Sequence, residues 1–233
     1  MEVPFRQPVA NRLLATLTRE GLAYMVGDRD VVCLELGQVL HEPGEPIEHI
    51  YFPEDSLVSL LGVINGHAGL EVGLVGAEGL VGISAALRQG ISPVRAVVQT
   101  AGTAVRIKSE ALRAESTQSR VLQHALFDYV NFLLAQAIQI AVCSRFHPLE
   151  ARLARSLLAT KDHLHTEEFH LTHESLAHAL GVRRVGVTKA AGALQRRKLI
   201  SYSRGEITIL DQAGLESAAC ACYRAVKEIC DTP

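Results

Sequence analysis

The sequence has 233 residues with 48% hydrophobic side chains, enough for about two globular domains. It has no run of about 20 uninterrupted apolar residues, which argues against a membrane-spanning helix, and its opening residues lack the apolar core of a secretion signal. Five cysteines, an odd number spread unevenly along the chain, argue against the disulfide framework of a secreted domain. We therefore expect a globular, cytoplasmic protein with mostly reduced thiols and no contact with a membrane.

The net charge of −2 conceals an asymmetry along the chain. Acidic residues outnumber basic ones over residues 1–110, whereas the segment between Gly181 and Gly205 has no acidic residue at all. Its charged residues are Arg183, Arg184, Lys189, Arg196, Arg197, Lys198 and Arg204. A polyanion would therefore bind the C-terminal part of the chain.

The N-terminal half is predicted to be rich in β-structure. After a short helix at about Asn11 to Val26, short runs of Val, Ile and Leu alternate with glycines from Val31 to Lys108. This pattern is typical of many short antiparallel strands, and Asn65-Gly66 is the best candidate for a hairpin turn. A barrel or roll is the expected architecture.

A long helix should follow, because glycines are absent from Ser109 until Gly181 and the apolar spacing becomes helical. Spacings of four and three residues form a coiled-coil seam. The seam consists of Leu122, Leu126, Tyr129, Leu133, Gln136, Ile140 and Cys143. We interpret it as a dimer interface, the alternative being a helix buried against its own domain. Pro148 fits the first turn of a further helix that runs toward Lys161.

A helix-turn-helix is the clearest pattern in the sequence. Thr172 can cap a first helix and Gly181 supplies the sharp turn after it. A second helix at about Arg183 to Arg197 would bury Val187, Ala190, Ala191 and Leu194. The second helix of such a motif enters the major groove of DNA. Two predicted strands, 199–202 and 206–209, would pair about a turn at Ser203 to Gly205 and form a wing.

The predicted DNA contacts divide by position. Arg184 and Lys189, near the start of the second helix, are candidates for base edges, because arginine can engage guanine through two hydrogen bonds. Val185 can make only apolar contacts. The phosphate candidates are Thr172, Thr188, Ser201 and Arg204. Arg183, at the helix start, is a further DNA-binding candidate with no assigned type of contact. Arg196 and Arg197, farther along the helix, are equally consistent with phosphate contact and with simple exposure to solvent. For all the basic residues between Gly181 and Gly205, the alternative to DNA binding is a solvent-exposed helix face.

These features resemble the superfamily of the cyclic-AMP receptor protein and the fumarate-nitrate regulator (Crp/Fnr). The resemblance rests on HEPGEPIEHIYFPEDSLVSLL, RLARSLL and LTHESLAHALGVRRVGVTKAAGALQRRKLI. It implies an α+β fold with a cupin-like β-roll sensor domain at 1–110, a dimerisation helix at 111–147 and a winged helix-turn-helix domain at 148–233. It also implies a bacterial transcription regulator that binds a palindromic DNA site as a homodimer, with RNA polymerase as a further partner.

The family's effector motifs are only partly present. Cyclic-nucleotide-binding members of the family hold the ribose with a Gly-Glu pair and the phosphate with a later arginine. Arg95-Ala96 resembles the second element, so Arg95 is a candidate effector ligand, the alternative being a plain salt bridge or a surface role. Ile83, however, follows Gly82 where the glutamate should be. We expect cyclic AMP to bind weakly or not at all, and the effector remains unidentified. An iron-sulfur cluster normally needs four ligands, and Cys33 is the one cysteine in the sensor half, so no cofactor is predicted.

Two groups of potential metal ligands need separate mention. His163, His165, His170, His173 and His178, with Glu167 and Glu168, are dense, but their spacing matches no compact zinc site. Cys220, Cys222 and Cys230 lie in an alanine-rich terminal helix, where buried inert thiols are the preferred interpretation over metal binding or redox sensing. We therefore predict no metal site.

Two other function classes remain as alternatives. A metal-dependent cupin-type enzyme would need clustered histidines, whereas His41, His49 and His67 are scattered and no catalytic motif is present. We therefore expect no enzymatic activity. A DNA-architectural protein without signal input would not need so large an N-terminal domain.

Overall fold

The computed structural model describes residues 10–22, 30–64, 67–87 and 89–231 of the chain and has an α+β fold. The helices are α1 (Arg12–Leu17), α2 (Ile83–Ala86), α3 (Ser109–Ser116), α4 (Arg120–Phe146), α5 (Leu149–Leu164), α6 (His173–Leu180), α7 (Arg184–Arg196), α8 (Gln212–Ala218) and α9 (Cys222–Asp231), with a π-helical turn at Thr18–Leu22 after α1. The strands are β1 (Asp30–Leu34), β2 (Val39–His41), β3 (His49–Pro53), β4 (Leu57–Ile64), β5 (His67–Val75), β6 (Arg95–Thr100), β7 (Gly102–Lys108), β8 (Glu168–His170), β9 (Ile200–Ser203) and β10 (Glu206–Ile209).

The N-terminal strands form a β-roll of two antiparallel sheets, as predicted. One sheet has the order β1-β7-β3 and the other the order β2-β6-β4-β5. Ile50, Phe52, Val58 and Val98, each at most 1% exposed, are among the apolar residues that fill the roll. The predicted Asn65-Gly66 turn lies outside the described residues, although the strands on either side of it do pair, with Ile64 opposite His67.

The long helix α4 closes one side of the roll with its inner face. Leu122, Leu126 and Tyr129 join the core of the roll, and the Tyr129 hydroxyl donates to the Leu80 carbonyl oxygen at 2.9 Å. Gly79 lies so close beneath the Tyr129 ring that a Cβ atom there would collide with it. Farther along, the side-chain oxygen of Gln136 accepts from the Leu74 amide at 3.0 Å. The inner face is therefore built for this chain's own strands.

This packing overturns the predicted dimer seam. Six of the seven seam residues are buried within the chain itself, and Leu133 is packed against the roll. The residues concerned are Leu122, Leu126, Tyr129, Leu133, Gln136, Ile140 and Cys143. The prediction of an interface at these positions is wrong, and the alternative of burial against the helix's own domain is what the structure has. Helical periodicity located an apolar face, but α4 has two.

The second apolar face of α4 is exposed. Phe127, Leu134 and Ile138 are 59%, 57% and 56% exposed, and Val142 and Phe146 extend the same side. We call these five residues the outer stripe. In the described part of the chain, α4 is the one helix that is long and apolar enough to cross a membrane by length and composition. Because the inner face of α4 packs against the roll, the outer stripe is the apolar face of this helix that stays exposed to solvent in the single chain.

The C-terminal helices and strands form a second core. Leu153, Leu157, Val187, Leu194 and Leu215 are fully buried there. A small antiparallel sheet of order β8-β10-β9 completes it. The sequence predicted β9 and β10 as the wing, and β8 adds a third strand on the other side of β10.

This second core packs against the roll through α6 and through one buried ion pair. The Nδ1 atom of His163, in α5, lies 3.1 Å from a carboxylate oxygen of Glu78 in the loop after β5. Burial, the largest single effect, would lower the pKa of His163, but the negative charge of Glu78 and its hydrogen bond with the ring, joined by the charge of Asp162, together hold that pKa above its ordinary value. Gly181, at the end of α6, lies against the backbone oxygen of Gly69 and the side chain of Leu70 in β5.

Candidate nucleic-acid interface

The first helix of the motif begins and ends as its sequence predicts. The hydroxyl of Thr172 accepts a hydrogen bond from the Ser175 amide at 3.0 Å and so caps α6. Gly181 ends the helix in the left-handed conformation, with φ of 62°, which glycine adopts without strain. The Val182 amide then donates to the Ala177 carbonyl oxygen, which fixes the tight turn into α7.

The second helix presents a basic, exposed surface. Val187, Ala190, Ala191 and Leu194 face the core as predicted. Arg183 caps the helix, and the exposed residues of its first turns are Arg184, Val185, Thr188 and Lys189. Gly186 on the inner side lets α7 approach Leu149 of α5, because a Cβ atom there would lie 3.0 Å from the Leu149 side chain. The helix is thus held firmly while its polar side stays open.

His173, which the sequence suggested only as a potential metal ligand, links the two helices to the wing. Its ring stacks on Tyr202 of β9 with the centroids 4.2 Å apart, and its Nδ1 atom is 3.0 Å from the Thr188 hydroxyl oxygen. Burial, and next the positive charge of Arg184, lower the pKa of His173, so the ring is neutral near pH 7. Its position directly after the Thr172 cap was the available sequence signal, but the contacts with Thr188 and Tyr202 are tertiary.

The wing places Arg204 at its tip. Glu206 to Ile209 pair with Ile200 to Ser203, and the turn residues Arg204 and Gly205 have φ of 51° and 93°. Gly205 packs against the His170 ring, where a Cβ atom would clash. Arg204 is exposed, whereas Ser201 lies partly buried within β9. Arg204 is therefore the better placed of the two for contact outside the domain.

Two of the residues considered for DNA contact, Arg197 and Thr172, also face other parts of this chain. Arg197 pairs with Glu150 of α5 at 2.8 Å, which leaves Arg196 as the exposed arginine at the end of α7. The cap residue Thr172 borders a crevice of 210 Å³ between α6 and the roll. The side of α6 that carries Thr172 therefore faces the sensor domain, while the α7 residues Arg184 and Lys189 remain open.

The roll contains an apolar cavity of 270 Å³ beside α4. Its lining includes Ile83, Ser84 and Ala96 from the roll and Leu133 and Leu134 from α4. The candidate effector residue Arg95 is not among the described residues that line this cavity. Its guanidinium instead pairs with Glu42 at 2.8 Å.

The histidine group does not converge on one point. His163 pairs with Glu78, His170 with Glu206 at 2.7 Å, and His173 with Thr188. Likewise, the His41 Nε2 atom lies 2.9 Å from the His49 backbone oxygen, a structural contact within the roll.

Two of the terminal cysteines, Cys220 and Cys222, are buried and lie close to the end of α4. Cys220 and Cys222 meet Cys143 and His147, and their ligand atoms all lie within 4.8 Å of one another. The side chain of Cys230 lies outside the described residues. Sequence reasoning placed Cys143 in the dimer seam and did not connect it with the terminal thiols.

Comparison with known proteins agrees with this geometry. Residues 151–218 match the Crp-like helix-turn-helix domain, whereas comparison with curated proteins finds no significant match. A transcriptional regulator of the CRP/FNR family from Thermus thermophilus has 26% identity and a TM-score of 0.68, covering 82% of this chain and 98% of that one. A transcriptional regulator of the CRP family, also from Thermus thermophilus, has 20% identity and a TM-score of 0.68, covering 81% and 96%.

A more distant likeness extends the agreement in fold. FixK2 from Bradyrhizobium japonicum has 14% identity and a TM-score of 0.70, covering 83% of this chain and 98% of that one. The β-roll, the long helix and the winged motif therefore occur together in the matched structures, in the arrangement seen here. The match over residues 151–218 shows that the chain has a Crp-like helix-turn-helix DNA-binding domain, and its overall fold is that of transcription regulators of the Crp/Fnr family.

Proposed function

We propose that the protein is a cytoplasmic homodimer that binds a palindromic DNA site through α7 and the wing, under the control of a small apolar molecule in the β-roll. The observation that carries the proposal is the open basic surface of α7 beside an exposed wing arginine. Regulators with this architecture act on transcription, so RNA polymerase is the further partner we infer. The domain limits 1–110, 111–147 and 148–233 remain part of the proposal.

The outer stripe of α4 supports the homodimer. Phe127, Leu134 and Ile138 are seven and four residues apart, spacings that occur between the core positions of a heptad in packed parallel helices. A two-fold symmetric dimer pairs the same surface of both chains, so one apolar helix face supplies both halves of the interface. This arrangement would place two α7 helices about one helical turn of DNA, roughly 34 Å, apart.

The proposed contacts on DNA follow from exposure and position. Arg184 and Lys189 are proposed to reach base edges, with Val185 making apolar contact. Arg183, Thr188 and Arg204 are proposed to hold phosphates. Ser201 and Thr172 are proposed as weaker phosphate contacts. Ser201 is partly buried in β9, and Thr172 borders the crevice between α6 and the roll, so their hydroxyls are less accessible to DNA.

The apolar cavity supports an effector unlike a cyclic nucleotide. The lining residue Ile83 offers no hydrogen bond to ribose hydroxyls, and Arg95 is engaged by Glu42. A ribose placed against Ile83 would lose hydrogen bonds to water that this side chain cannot replace. Because Leu133 and Leu134 border the cavity, a ligand inside it would touch the same helix that we propose for dimerisation.

The packing of α6 on the roll supports a route from the sensor to DNA. His163 and Glu78 join the two parts by a buried ion pair, and Gly181 lies directly on β5. A change in the roll would therefore act on the first helix of the DNA-binding motif. A DNA-architectural protein without signal input would need neither the cavity nor these contacts, which is why a sensor is the preferred reading.

The effector proposal predicts how the Tm responds to ligands. Cyclic AMP should not raise it, whereas benzene, a small apolar probe, should raise it by about 2–4 °C for each kcal/mol of binding free energy. Ser84→Phe fills part of the cavity and should reduce the benzene shift, while Ser217→Phe, an exposed change on α8, should not. Calorimetry that detects tight cyclic-AMP binding together with stronger DNA binding would contradict the proposal.

The DNA-binding function itself is tested by selection from random duplexes. The purified protein should enrich a two-fold symmetric sequence whose half-sites lie one helical turn apart. Fragments enriched without symmetry, or no enrichment above a non-specific background, would contradict a dimer that reads a palindrome. Repeating the selection with cell extracts of small molecules would show whether binding depends on a signal.

A further inference from the structure

Four potential metal ligands meet where α4 ends and α9 begins. Cys143 lies in the last turn of α4 and His147 caps that helix, while Cys220 lies two residues before α9 and Cys222 begins it. The Sγ atoms of Cys143 and Cys220 are 3.4 Å apart, and the Cys222 Sγ atom is 3.4 Å from Nδ1 of His147. We propose that these four residues form a structural zinc site of the Cys3His type.

The spacing of the ligand atoms fits a tetrahedral ion. Zinc–sulfur and zinc–nitrogen bonds of about 2.3 and 2.0 Å place the ligands of a tetrahedron roughly 3.5–3.8 Å from one another. The four atoms here all lie within 4.8 Å of one another, with two contacts at 3.4 Å. Binding to one tetrahedral centre would require only small side-chain rotations from these positions. A complete set of four protein ligands is typical of structural zinc, which leaves no position for substrate.

The surroundings of the cluster also suit bound metal. Cys143 and Cys222 are 1% and 2% exposed, and the side-chain amide of Gln139 donates to the Cys222 sulfur at 2.8 Å. Hydrogen bonds of this kind orient metal ligands and tune their basicity. Three thiolates around a divalent ion leave one net negative charge. Arg155 interacts electrostatically with Cys143 and offsets that charge.

Other roles explain fewer of these contacts. A disulfide between Cys143 and Cys220 would leave Cys222 and His147 without a purpose, and a core of inert thiols does not call for an imidazole at 3.4 Å from a sulfur. Iron-sulfur clusters are usually held by four thiolates. Three thiolates with one imidazole are a combination that zinc prefers.

Bound zinc would fix the junction between the proposed dimerisation helix and the DNA-binding domain. The residues Cys143 and His147 belong to the end of α4, directly before Pro148 starts the turn into α5. Arg152, buried in α5 and close enough to Cys143 for electrostatic interaction, donates to the backbone oxygen of Leu180 in α6. Arg152 thus connects the proposed metal site with α6, the first helix of the DNA-binding motif.

The test uses the full-length protein under reducing conditions with a phosphine reductant, which leaves the thiols free. Elemental analysis should find one zinc per chain. After zinc removal, Co²⁺ should bind in the same ratio and give thiolate-to-metal charge-transfer absorption together with tetrahedral ligand-field bands. Zn²⁺ should displace Co²⁺, abolish those bands and raise the Tm.

Variants separate the proposed ligands from the other cysteine chemistry. Cys220→Ser and His147→Gln should each weaken Co²⁺ binding at least about 10-fold, and Gln139→Leu should weaken it by about 10-fold by removing the hydrogen bond to Cys222. The matched control Cys33→Ser, which removes an exposed thiol in the roll, should bind Co²⁺ as the parent protein does. His147 is partly exposed, so His147→Gln remains informative where a cysteine variant fails to fold.

Three results would overturn the proposal. The first is fully reduced, folded protein that binds Co²⁺ without charge-transfer absorption or not at all. The second is unchanged Co²⁺ binding by both Cys220→Ser and His147→Gln. The third is a Cys143–Cys220 disulfide, found by mass spectrometry of protein whose thiols were trapped on isolation, in material that contains no zinc.

Discussion

Leu134→Glu is expected to convert the proposed dimer into monomers. Leu134 is 57% exposed in the middle of the outer stripe, so the change costs little in the isolated chain. In a symmetric interface the new carboxylate would be buried twice, once from each chain, without a partner. An unpaired buried charge costs about 3–5 kcal/mol, so dimerisation should weaken at least about 100-fold. Light scattering at decreasing protein concentration measures the change.

DNA binding should fall with the dimer. A monomer engages one half-site, so Leu134→Glu should lose most affinity for a palindrome while the helix-turn-helix stays folded. Leu210→Glu is a matched control, because Leu210 has nearly the same exposure, 58%, but lies after the wing. Leu133→Glu tests the inner face of α4 instead. Because Leu133 packs against the roll, the main effect of this substitution should be a lower Tm. A Leu134→Glu variant that remains dimeric at low concentration would exclude the outer stripe as the interface.

The helix-turn-helix was predictable because its signals are local. The Thr172 cap, the Gly181 turn and the apolar positions of α7 act within a few residues of one another, and the structure places each as expected. The wing strands were also predictable, since the short segments around Arg204 alternate and turn within ten residues. The assignment of individual DNA contacts stays a prediction, because exposure alone does not identify what a side chain binds.

The dimer face of α4 was not predictable from periodicity. Spacings of four and three identify an apolar stripe on a helix, but they do not say which neighbour covers it. The inner stripe has Tyr129 and Gln136 in it, and both find hydrogen-bond partners on the roll. Polar groups at seam positions were thus a sign of specific intramolecular packing that the heptad pattern concealed.

The cysteine cluster was unpredictable for a different reason. Cys143 and Cys220 are 77 residues apart in sequence, and their contact depends on how α9 returns to the end of α4. The spacing of Cys220 and Cys222 alone fits several structures. Contacts of this range arise from the packing of whole helices, as does the meeting of His173 with Thr188 and Tyr202.

Arg184→Ala and Arg204→Ala should weaken DNA binding in different ways. Arg184 stands exposed in the first turn of α7, where a side chain reaches base edges in the major groove. Loss of a bidentate contact with guanine should cost about 1–3 kcal/mol per half-site and relax selectivity at one symmetric pair of positions. The substitution keeps a good helix former, so the fold should be unaffected.

Arg204→Ala should instead weaken binding to every sequence by a similar factor. Arg204 lies at the wing tip with φ of 51°, and alanine also has a Cβ atom, so the substitution should add no backbone strain. Each lost phosphate contact retains one counterion on the DNA, which reduces the slope of log K against log salt concentration by about one unit. A dimer loses two such contacts, hence about two units. Arg224→Ala, an exposed arginine on α9, is the matched control and should change neither slope nor selectivity. Binding measured across salt concentrations on single-base variants of the selected site distinguishes the two kinds of contact. If Arg184→Ala weakens binding to all variants equally, Arg184 does not read a base. If Arg204→Ala leaves the salt slope unchanged, Arg204 does not contact a phosphate.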